Sequence, residues 1–65
     1  MKKFAVAYAE FGDTNLTIKI VEASDWRDAI IKVFPIMDLT LGRNLEESKR
    51  EVLRMVNYFN IVEIT

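Results

Sequence analysis

The chain has 65 residues, nine basic and ten acidic, with a formal net charge of −1 and neither cysteine nor histidine. That length accommodates one domain, residues 1–65, and the composition excludes a disulfide staple, a thiolate or imidazole metal site and the usual neutral-pH proton carrier. Yet 51% of the residues are apolar, a high share for so small a chain, and surplus apolar surface is normally buried against something, here a second copy in a homodimer.

Charge is balanced locally as well. Residues 1–24 carry three charges of each sign, residues 25–43 three of each, and residues 44–65 three basic and four acidic. No basic face emerges, so binding to nucleic acid through phosphate neutralisation is not supported. Lys2 and Lys3 precede no long apolar run, so neither a signal peptide nor a membrane span is expected, and the cytoplasm is the expected location.

Lys3 to Phe11 alternates Phe4, Val6 and Tyr8 with Ala5, Ala7 and Ala9, a strand with a bulky and a small face. Gly12-Asp13-Thr14-Asn15 is a run of turn formers, and Leu16 to Glu22 alternates again, so a β-hairpin is expected. Matching the bulky sets assigns Phe4, Val6, Tyr8, Leu16, Ile18 and Ile20 to the core. Ala5, Ala7, Ala9, Phe11, Thr17, Lys19 and Val21 then form the open face.

Between Ser24 and Met37 the apolar residues Trp26, Ala29, Ile30, Val33, Phe34 and Met37 recur at i, i+3, i+4, i+7, i+8 and i+11, the spacing of one helix face. Ser24 or Asp25 can cap its start. Pro35 lacks an N–H and clashes with the preceding turn, so the helix ends or kinks near Phe34. Ile36 to Leu41 suits a further short helical turn, and Gly42 a helix-terminating glycine. Asn44 with Glu47 three positions later signals a second helix, running to about Tyr58. Phe59 to Thr65 reads as a closing strand.

The order β-β-α-α-β implies a two-layer α+β fold, a three-stranded, mainly antiparallel sheet with helices on one face. A helical hairpin favours pairing of the last strand with the second; a chain redirected at Pro35 permits pairing with the first.

Candidate chemistry is sparse. The carboxylate pairs Asp25/Asp28 and Glu47/Glu51 sit among basic residues at helix spacing, which is how capping and i,i+4 ion pairs look. Ser24 and Ser48 have no histidine to activate them. No acidic loop has calcium spacing and Gly12 and Gly42 are isolated, so no catalytic residue, metal or cofactor is expected. What stands out is the alanine row, which lets another flat surface approach closely. Ala5, Ala7, Ala9, Phe11 and Val21, with Met55 and Tyr58 one turn apart on the second helix, are the candidate protein interface.

The opening Met-Lys-Lys-Phe-Ala-Val-Ala-Tyr, the hairpin, and the entry Val21-Glu22-Ala23-Ser24-Asp25-Trp26-Arg27-Asp28-Ala29-Ile30 resemble the plan of very short bacteriophage early proteins across residues 1–34. That resemblance implies a non-catalytic binder that inhibits or modulates a host protein complex, such as an antiviral defence assembly, by covering a surface in the host cytoplasm. The alternatives are a self-assembling structural or accessory subunit and a nucleic-acid-binding regulator.

Overall fold

The computed structural model describes residues 1–64; Thr65, the expected end of the last strand, lies outside them. Strand β1 (Lys2–Ala9) and strand β2 (Thr17–Ala23) form the hairpin. Between them the Asp13 N–H donates to the Glu10 carbonyl at 3.0 Å, and Gly12 sits at φ +82°. A positive φ at the third position of a four-residue turn is the conformation glycine adopts without steric cost. Asp13 Oδ1 then accepts from the Asn15 N–H at 2.9 Å and shapes the way into β2.

Helix α1 (Trp26–Val33) follows β2. Asp25 caps it, accepting from the Asp28 N–H at 2.8 Å, while Asp28 reaches back to the Ser24 N–H at 3.1 Å. Pro35 has no N–H to continue the ladder, and Pro35–Leu39 winds on as a 3₁₀ turn that buries Met37. Helix α2 (Leu45–Val52) repeats the same entry. Asn44 accepts from the Glu47 N–H at 2.9 Å, and Glu47 reaches back to the Arg43 N–H at 2.9 Å.

Two boundaries differ from expectation. Gly42 has no positive φ, so it is not a left-handed helix terminator. Its missing side chain is needed for close approach instead, since a Cβ there would lie 2.3 Å from Glu47 Cβ. Helix α2 also ends well before Tyr58. The Arg54 and Met55 N–H groups turn to Glu51 and Val52, and the Asn57 N–H donates to the Ala9 carbonyl at 2.7 Å, drawing the chain into the sheet. The spacing of Val52, Val56 and Phe59 suits a helix as well as this turn into a strand.

Strand β3 (Tyr58–Glu63) completes an antiparallel sheet of order β2-β1-β3. The closing strand therefore pairs with the first strand, not the second. Pro35 is the reason: it ends α1 above β1 and β2, and the 3₁₀ turn carries the chain over the sheet to α2, which packs against β3. Phe4, Val6, Ala23, Phe59 and Ile61 meet Ala29, Ile30, Met37, Val52 and Val56 in one core. Phe34 closes one side of it, edge-on to Tyr8 at 4.9 Å and to Phe59 at 6.1 Å between ring centroids.

Candidate protein interface

Residues directly opposite in an antiparallel pair share a face. On the helical face Phe4 opposes Val21, Val6 opposes Lys19 and Ile61, and Tyr8 opposes Phe59. On the other face Ala5 stands between Ile20 and Val62, Ala7 between Ile18 and Asn60, and Ala9 beside Tyr58. Both helices pack on the first face, and among the described residues no helix covers the second.

This register overturns part of the hairpin assignment. Ile18 and Ile20 flank the alanine row and, with Leu16, are exposed instead of lying in the core. Val21, expected on the open face, packs against the core from the opposite side, and Lys19 extends over the Tyr8 ring at 5.9 Å. The cause is a shift of one residue in pairing, which exchanges the two faces of a strand. Apolar alternation in β2 cannot decide between the registers, since both of its faces carry apolar residues. Ala23, on the same face as Val21, is fully buried in the core, so this side of β2 turns inward and Val21 with it.

The other interface candidates divide. Ala5, Ala7 and Ala9 do line the open face, half-buried between their neighbours. Tyr58 is on it too, but as the first residue of β3 and not as part of a helix. Met55 is exposed in the turn between α2 and β3, and Phe11 is exposed in the hairpin loop beyond the end of β1. Four residues of the face escaped sequence reasoning: Ile18, Ile20, Val62 and Ile64. Together with Tyr58 they are between 45% and 59% exposed. The alternation of Val62 and Ile64 against Ile61 was visible; which side faced out depended on the pairing partner.

The face is a shallow trough. Alanines floor it on the central strand, and larger apolar side chains rise on strands about 4.8 Å to either side. Asn60 is its one amide, and its Oδ1 accepts from the Ile61 N–H at 2.9 Å. At one end Lys3 stands opposite Glu22 in register; between that pair and the hairpin loop the strand residues of the face carry no formal charge.

Elsewhere the surface is mixed in sign. A shallow groove of about 390 Å³ runs between the segment 40–43 and α2, lined by Arg43, Glu47, Arg50, Glu51 and Arg54. Its ion pairs, Arg43–Glu47 at 3.8 Å and Arg54–Glu51 at 3.4 Å, are short-range helix pairs open to solvent, the kind that contribute little. Asp28 pairs with Lys32 at 3.6 Å while Asp25 caps α1, so both carboxylate pairs hold helices. Ser48 is fully buried, and its hydroxyl donates to the Gly42 carbonyl at 3.4 Å, which also accepts from the Arg27 guanidinium. Among the described residues no three His, Cys, Asp or Glu side chains cluster as a metal site, and no helix is long and apolar enough to cross a membrane.

Fold and surface together define a two-layer α+β domain with one covered and one bare sheet face. Comparisons with protein-family models, curated proteins and solved structures find no match to this chain.

Proposed function

We propose that this protein is a non-catalytic protein-interaction module whose working surface is the open sheet face, and that it modulates a larger protein complex by covering part of it. One observation carries this reading: half-exposed Ile18 and Ile20 on one side of an alanine floor, and Val62, Ile64 and Tyr58 on the other, make an apolar border broken only by the amide of Asn60. Singly exposed apolar residues are ordinary, but a contiguous patch on a small domain marks an interaction site. The flatness of the floor suits a broad protein surface better than a small ligand, which is usually held in a concave pocket. The resemblance to small phage proteins supports a host complex as the target.

The test compares partner capture by the wild type, by Ile20→Lys on the open face and by Leu39→Lys on the exposed 3₁₀ turn. A specific partner should be retained by the wild type and by Leu39→Lys and lost from Ile20→Lys. Undiminished capture by Ile20→Lys contradicts the reading. Where the captured partner is an enzyme, its activity should change at saturating concentrations of the bound protein.

A further inference from the structure

We infer that the open sheet face docks on the same face of a second copy, giving a two-fold symmetric dimer with the two sheets face to face and the helices outermost. The inference rests on the reading of that face as a working surface and names what occupies it in the free protein, a copy that a larger complex would displace.

Three observations point to a second copy. The first is area. The half-exposed aliphatic and aromatic side chains of the face present on the order of 500 Å² of apolar surface. Adding the rim, with Phe11 and Leu16 at the hairpin end, brings it towards the roughly 800 Å² per partner of a standard interface. The second is shape. Each copy carries both a trough, at Ala5 and Ala7, and a ridge that fits one, at Ile18 and Ile20. A two-fold axis seats each ridge in the other copy's trough, so one surface supplies both halves of the fit, as an isologous interface requires. Sheets pack about 10 Å apart through larger side chains, and the alanine floor permits closer approach.

The third is need. The smallest extent of the molecule is 18 Å, room for one sheet and one helical layer. Strand β2 buries only Ala23 fully and leaves Thr17 to Ile20 exposed along its length. A chain this short folds with a small margin, and without disulfides oligomerisation is one of the few ways left to widen it. Face-to-face docking covers Ile18 and Ile20 and converts two layers into four. The absence of formal charge between the Lys3/Glu22 end and the hairpin loop removes the like-charge repulsion that self-contact would otherwise meet.

Sedimentation equilibrium over a wide concentration range tests this, with circular dichroism confirming that each variant is folded. The wild type and Leu39→Lys should reach twice the 7.6 kDa chain mass. Ile20→Lys should weaken association at least about 100-fold, because each dimer would bury two unpaired charges. Ala7→Trp should also weaken it, since it fills the trough while keeping the face apolar; a merely adhesive surface would not lose affinity. A wild type that stays at 7.6 kDa, a ladder of larger species, or variants that dimerise like the wild type would each overturn the dimer. If the wild type is monomeric but Ile20→Lys loses a captured partner, the dimer alone fails. If capture is also indifferent to Ile20→Lys, the proposed working surface fails with it.

Discussion

At the scale of single residues, Gly42 and Ser48 join the two helical segments. The Gly42 carbonyl accepts from Arg27 in the first turn of α1 and from Ser48 on the inner face of α2, while its bare Cα lets Glu47 come close. A methyl group at Gly42 would meet both the Cβ and the backbone of Glu47, so neither a rotamer change nor a flexible tip relieves the clash. Gly42→Ala should therefore destabilise the protein by about 1–3 kcal/mol in urea unfolding. Ser48→Ala removes one hydrogen bond from a carbonyl that retains Arg27, and should cost about 1 kcal/mol. A larger loss for Ser48→Ala than for Gly42→Ala would show that the hydroxyl, and not the close approach, governs this corner. Neither role is legible in the sequence: a serine without a base draws no notice, and glycine before a helix signature suggests a terminator before it suggests a contact. The Asp25 and Asn44 caps, by contrast, are legible because their partners lie only three residues away.

At the scale of elements, the two helix entries are built alike, each with a capping side chain and an acidic residue reaching back one position before the cap. Both helices have only eight residues, too short to be stable by propensity alone, so caps and tertiary packing carry them. Asp25→Ala and Asn44→Ala should each cost about 0.5–2 kcal/mol. With no shared partner, the double variant should lose nearly the sum in thermal or urea unfolding. The helices themselves could be read from spacing and caps because those signals are local. Strand order and the facing of β2 could not, since they depend on where the chain lands after Pro35 and on a register that alternation alone does not choose. The alanine row was recognisable as a flat surface, but its neighbours Ile18, Ile20 and Val62 are placed beside it only by pairing across strands.

At the scale of the whole molecule, apolar surface is divided between a closed core and an open face. The radius of gyration, 11.0 Å, is close to the roughly 11 Å expected of a chain this long. The exposed isoleucines are thus not a product of loose packing; a two-layer domain simply has one sheet face that its own helices do not reach. The two classes of isoleucine should respond differently to substitution. Ile30→Ala, at a fully buried position, should cost about 2–5 kcal/mol through the cavity it leaves. Ile20→Lys should change the stability of the isolated subunit by no more than about 0.5 kcal/mol, measured by unfolding at concentrations below association. Its effect belongs to the assembly.

The most direct measurement is methyl NMR at high protein concentration with a soluble paramagnetic probe, which broadens whatever solvent reaches. If the open face is a docking surface closed by a second copy, the methyls of Ala5, Ala7, Ile18, Ile20 and Val62 are protected while those of Ile36 and Leu39 are broadened. Equal broadening of both groups would show a sheet face that remains bare, and would contradict the account.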